Sequence, residues 1–241
     1  ATLPEGADIN PYSFYVGGLE QIYCADFEDD DGGFTHELIA GESQEGADDW
    51  MWGQPLGYGG DPDHASGGEN VWGNDLGGEI NGSQYNGEYQ NDKQNRLNSP
   101  SISVEGYDKV VLVYDRWLHV EDGYYDQARI LANGAEVWSN HATTSNTGDE
   151  HHQDSQWQPH AIIVDTDSVS ELQIGWEINS DQGLTMGGWN IDNVCLYGQV
   201  SDNAEGDDVD DGLKAGCSAV PRPRYVFGLL ALLALVGRRR R

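Results

Sequence analysis

Positive charge is what this 241-residue chain has least of. It carries 12 Lys and Arg against 42 Asp and Glu, a formal net charge of −30. Seven of the 12 lie from Lys214 onward, so the chain before Lys214 holds 5 basic residues against 42 acidic ones, or −37. Phosphate backbones repel such a body, which excludes nucleic acid as a partner. Salt-bridge networks are excluded as its main stabiliser, because the cations are too few. Cysteine is scarce as well: Cys24, Cys195 and Cys217 are the only three. No HExxH places two imidazoles on one zinc, and there is no GxSxG elbow and no phosphate-binding P-loop. A carboxylate pair acting as a hydrolase is the one enzyme class left open. With 42 acids in the chain, however, nearness of two of them carries no information.

The hydrophobic fraction is 37%, and eight Trp with twelve Tyr supply the material for a real core. The length suits one domain with flanking segments. About 37 like charges on one domain oppose compaction unless counter-ions, external salt or flexible acidic segments relieve them. Calcium is the favoured counter-ion, since clustered carboxylates and carbonyls suit a hard cation.

From Ile22 to Tyr197 the pattern is all-β. Stretches rich in Val, Ile, Tyr and Trp alternate with turn clusters of Gly, Asn and Asp. Val110 to Glu121 is long enough for a sandwich strand, with Tyr114, Arg116, Leu118 and Val120 on one face. Asn133-Gly134 between two β-prone arms predicts a type I′ hairpin. Ala161 to Val164, Glu171 to Asn179 and Trp189 to Tyr197 supply further strands. The 32 glycines suit tight turns. An antiparallel jelly-roll β-sandwich follows, with one isolated hydrophobic helix at the C-terminal end. Trp117, Trp138, Trp176 and Trp189 are expected in the core. Trp50, Trp52 and Trp72, in Gly-rich stretches, are candidates for facing a ligand such as a sugar ring. His151-His152, within DEHHQDSQ, suits a solvated loop better than a metal site.

A series of short motifs runs through this region: Asp26-Phe27-Glu28, Asp48-Asp49-Trp50, Asp61-Pro62-Asp63-His64-Ala65-Ser66-Gly67, Asn98-Ser99-Pro100, and Gly188-Trp189-Asn190-Ile191-Asp192-Asn193-Val194. In that order they resemble the jelly-roll domains of the MAM type. The similarity is greater to the MAM-like jelly rolls that follow the catalytic domain in immune-inhibitor-A-type secreted metallopeptidases. The resemblance implies a non-catalytic adhesion, binding or positioning module with a surface protein or glycan as ligand. It also implies structural calcium where the first and last strands meet, held by Glu28 and Asp192. Asp63 is a looser third ligand that suits a turn acid equally well. Glu121, Asp122 and Asp126 form a second acidic group, read first as a hydrogen-bonded turn. In a jelly roll Cys24 and Cys195 fall on strands able to lie side by side. One bridge between them is favoured over two buried thiols in an extracellular setting.

The flanks complete the organisation: a connector over 1–21, the domain over 22–198, an acidic linker over 199–215 and a tail over 216–241. The tail joins Gly216-Cys217, an apolar run from Tyr225 to Gly237, and Arg238 to Arg241. It resembles the MYXO-CTERM class of bacterial sorting signals, which implies processing at Cys217 by an intramembrane sorting peptidase. The run of about 13 residues is short for a full span, and flanking arginines lengthen it by snorkelling. The positive-inside rule places the acidic body outside the membrane. The sequence therefore predicts a module displayed at the cell surface, at the end of a larger exported protein, plausibly a peptidase.

Overall fold

The computed structural model describes residues 18–41, 48–80, 83–146 and 150–200. Most of the expected connector, the linker beyond Val200 and the whole sorting tail, Cys217 included, lie outside them. All regular structure among the described residues is β, and two antiparallel sheets enclose the core.

The first sheet is built on two long strands, β9 (Tyr107–Val120) and β16 (Gly188–Val200). On one side β9 pairs with β12 (His152–Gln153) and β13 (Gln158–Asp165). On the other side β16 pairs with β1 (Leu19–Ala25) and with β4 (Val71–Asn74), which carries β3 (Trp50–Gly53) at the edge. The second sheet runs β11 (Ala135–Ser139), β10 (Gln127–Ala132), β15 (Ile174–Asn179), β7 (Lys93–Asn98), β2 (Thr35–Gly41). Two small ribbons pair β5 (Gly78–Ile80) with β6 (Ser83–Tyr85), and β8 (Ile102–Ser103) with β14 (Glu171–Leu172).

Alternation explains the faces. Val110, Leu112, Tyr114, Leu118 and Val120 of β9 point into the core, as do Ala128 and Ile130 of β10 and Ile174, Trp176 and Ile178 of β15. Tyr114 and Trp176 meet edge-on at 5.6 Å, and Trp138 meets Trp189 at the same centroid distance. Each such pair is worth about 1 kcal/mol beyond its buried area. Asn133 (φ 48°) and Gly134 (φ 81°) form the two-residue turn between β10 and β11, both left-handed as type I′ requires.

β16 changes phase part-way. Trp189 and Ile191 face the core, and so do Val194 and Leu196, which an unbroken strand would point outward. Asn193 (φ 52°) is the extra residue of a bulge that reverses the alternation. Asn190 and Asp192 therefore face away from the core. Beyond the bulge Cys195 lies opposite Cys24 of β1, Cα to Cα 4.1 Å, and the two are disulfide-bonded. The bridge spans 171 residues and stabilises the fold by up to about 5 kcal/mol in the chain-entropy model. β1 begins at Leu19, inside the expected connector, because its partner β16 is long enough to pair Leu19 with Gln199.

Candidate functional site

The outer face of the first sheet is covered over its centre, while Ile163 of β13 stays exposed. Residues 54–70, the connection from β3 to β4, lie across it. Trp117 of β9 donates its indole N–H to the Gly60 carbonyl at 2.9 Å, and Trp157 does the same to His64 at 3.0 Å. Ser66 Oγ donates to Asp115 Oδ2 at 2.7 Å, and the Gly67 amide donates to Asp192 Oδ2 at 2.9 Å. From the other side Glu28 receives the amides of Glu69 and Asn70, at 2.8 and 3.0 Å. A Cβ on Gly68 (φ +68°) would lie 2.1 Å from the Glu28 Cδ, so only glycine lets the carboxylate approach. Met51 and Trp157 pack with Ala65, Val71 and Leu76 as a small second core beneath this loop.

Glu28 and Asp192 are thus both brought to one loop, with Asp115 joining them. No Lys or Arg hydrogen-bonds to any of the three among the described residues. Burial, with the like charge of Asp115 adding to it, pushes the Asp192 carboxyl up to about 6. Asp63 is exposed and pairs with His64 Nδ1 at 2.6 Å, which holds its carboxyl below the usual range.

The second acidic group is a polar turn. Asp122 accepts the amides of Tyr124, Thr143 and Glu150 at 2.8 to 3.0 Å. Asp126 accepts the Tyr89 hydroxyl at 2.6 Å and the Asp181 amide at 2.8 Å. Carboxylates of Glu121, Asp126 and Asp181 approach within 4.8 Å of one another. His152 pairs with Asp154 at 3.2 Å, and the Asp122 amide donates to His151 Nδ1.

The expectation for the three tryptophans needs correction. Trp50 and Trp72 are buried, at 3% and 4% exposure, and only Trp52 is open, at 41%. The cause is two short strands: Trp52 and Trp72 are register partners in β3 and β4, and Trp72 bonds to the Asp31 carbonyl. Each strand is only four residues long and holds a glycine, Gly53 in β3 and Gly73 in β4, so neither carries the long alternation that marks a strand.

The outer face of the second sheet is different: polar and uncovered. Across its central strands Arg129, Glu177, Arg96 and Glu37 stand in register. Arg96 donates Nε and Nη2 to Glu177 Oε2, at 3.0 and 2.6 Å, and Arg129 donates Nη1 to Oε1 at 3.2 Å. Glu136 flanks Arg129 at 3.4 Å. The next row holds Gln127, Asn179 and Gln94, with Asn179 donating to Gln127 at 2.6 Å. Asn98 donates to Glu37 at 3.1 Å on the other side. Sequence reasoning missed this face. Its one available signal was that two of the chain's few body arginines, Arg96 and Arg129, each alternate with Gln or Asn.

No family model matches the chain. Bacillopeptidase F of Bacillus subtilis (strain 168) is 26% identical over 175 residues, a match that takes in 72% of this chain and 10% of that protein. The chain therefore aligns with only a tenth of that relative's length. Among solved structures, the K1 cleaved adhesin domain of Lys-gingipain from Porphyromonas gingivalis is similar at 12% identity and a TM-score of 0.42. That alignment covers 72% of this chain and 96% of that one. A carbohydrate-binding module studied for specific mannan recognition aligns at 13% identity and a TM-score of 0.42, covering 76% of this chain and 99% of its own.

Proposed function

We propose that this domain is a non-catalytic extracellular binding module of a larger exported protein, with the outer face of the second sheet as its ligand surface. The observation that carries the proposal is the unroofed pair Arg96 and Arg129, clasping the buried Glu177, beside Gln94, Asn98, Gln127 and Asn179. Guanidinium and amide planes held at strand spacing offer directional hydrogen bonds across a broad, flat area. Such an array suits the hydroxyls of a glycan or the polar face of a surface protein. The glycan reading is the more specific of the two, because the exposed row is polar rather than apolar. It is tested by titrating the purified domain on surface polysaccharides and glycan arrays. Arg129→Ala with Gln127→Ala should abolish binding and leave the melting temperature nearly unchanged. Binding that survives both substitutions sinks the assignment of this face.

Calcium belongs to the same reading. Glu28, Asp115 and Asp192 converge on residues 66–70, and a hard cation there would offset the burial and the Asp115 charge that raise Asp192. Its role would be structural, stapling the loop where first and last strands meet. Chelation by EDTA should lower the melting temperature, and Asp192→Asn should remove that response. The disulfide supports folding in an oxidising compartment. Display at the surface through processing at Cys217, by a sorting peptidase of the myxosortase type, completes the proposal. Cys217→Ala should then leave the tail uncleaved in membrane fractions, and normal processing of that variant would remove the sorting step.

A further inference from the structure

A second set of oxygens lies under the same loop, apart from the residues assigned above. Asp61 is 7% exposed and Asn190 fully buried. Asn190 Nδ2 donates to Asp61 Oδ1 at 2.7 Å, yet Asp61 Oδ2 and Asn190 Oδ1, both acceptors, are buried without any hydrogen-bond partner. Leaving such an atom unpaired in the interior is costly, and more so for a charged group. Two orphaned acceptors on directly bonded residues call for something positive between or beside them.

The surroundings are negative. Asp61 feels Asp75 and Asp49, and burial with these like charges pushes its carboxyl well above the usual range. Asp75 and Asp49 are 1% and 2% exposed, and the only buried cation among them, Lys93, is paired to Asp49. Two glycines border the bonded pair. A Cβ on Gly187 would lie 2.1 Å from Asp61 Oδ1, the oxygen that Asn190 already occupies. On Gly73 it would lie 2.7 Å from the orphaned Asn190 Oδ1 and 2.4 Å from Leu76 Cδ2. A side chain at either position would displace the pair.

We infer that Asp61 Oδ2 and Asn190 Oδ1 form the core of a binding site for a divalent hard cation, calcium by the pairing of a carboxylate with an amide oxygen. The ion would tie the middle of the 54–70 loop to β16, as Glu28 and Asp192 tie its end. The site does not depend on the ligand face or on the Glu28–Asp192 ion.

Trp117, bonded to the Gly60 carbonyl, supplies an antenna for the test. Terbium titrated into the metal-free domain should give tryptophan-sensitised emission that calcium displaces. Asp61→Asn should weaken that binding at least tenfold, whereas Glu28→Gln should leave it in place. Trp117→Phe should dim the emission without changing calcium affinity by calorimetry. Asn190→Asp, adding a second carboxylate, should tighten calcium binding and enlarge its stabilising effect, which keeps the proposal testable if Asp61→Asn fails to fold. Unaltered terbium and calcium binding in Asp61→Asn overturns the site, and so does weaker calcium binding in Asn190→Asp. Absence of any sensitised binding overturns it too, and would mean that a proton on Asp61 satisfies Asn190 instead.

Discussion

The two outer faces of this sandwich are both polar, and they have been finished in opposite ways. On the first sheet, Asn190, Asp192, Asp115 and Trp117 point outward but are roofed by residues 54–70, so Asp192 and Trp117 bond to loop backbone and Asn190 and Asp115 to the Asp61 and Ser66 side chains. On the second sheet, Arg96, Arg129, Gln94 and Gln127 point outward with no roof; both arginines bond to Glu177, and Arg129 also bonds to Gln127. A covered polar face must satisfy its atoms inside the protein, so it tolerates little change. An open one keeps water as an alternative partner and is free to exchange it for a ligand.

The sharpest way to break this contrast is to strike the buried network beneath the loop. Asp49 accepts Asn74 and Asn95 amides and is paired with Lys93, both partners being 1% exposed at the side chain. Asp49→Ala should strand a buried ammonium and cost about 3–5 kcal/mol, read by urea denaturation. Gly68→Ala strikes the roof, through a left-handed backbone and a collision with Glu28. It should cost about 1–3 kcal/mol, and the Trp157 fluorescence should shift as the loop lifts.

Asp192 sharpens the contrast through pH. Its folded carboxyl titrates at about 6, above the ordinary value of about 3.9, so the folded state binds the proton more tightly. In calcium-free buffer its contribution is therefore most favourable below about pH 4 and is lost as pH rises through 6. The loss should be about 1–2 kcal/mol after allowing for partial solvent screening. The difference in stability between wild type and Asp192→Asn, measured from pH 4 to 7, should show it. The smallest effect belongs to the open face. Arg96→Ala or Arg129→Ala alone should cost less than about 1 kcal/mol, because the other arginine still covers Glu177. The double variant should cost more than the sum, since Glu177, with its side chain 2% exposed, then lacks both partners.

Much of the architecture was legible in advance. The alternation of β9, the Asn133-Gly134 turn and the apolar positions of β15 are local signals, and each stands where the pattern put it. β7 was not legible, because two of its inward positions are Lys93 and Asn95, buried only through their bonds to Asp49. β3 and β4 were hidden for a different reason, being short and interrupted by glycine. At the candidate sites, Glu28 and Asp192 were singled out by motif, whereas Asp115 and Asp61 were lost among 42 acids.

What the sequence determined by itself is what local periodicity and bulk composition encode: an all-β chain, an acidic body and strands with one apolar face. Only the tertiary structure decided which acids share a loop, which tryptophans are buried and which sheet stays open. Those outcomes depend on strand register and on a single bulge at Asn193, which reverses the facing of half of β16. Such pairings join residues between 41 and 129 positions apart, and no local pattern carries them.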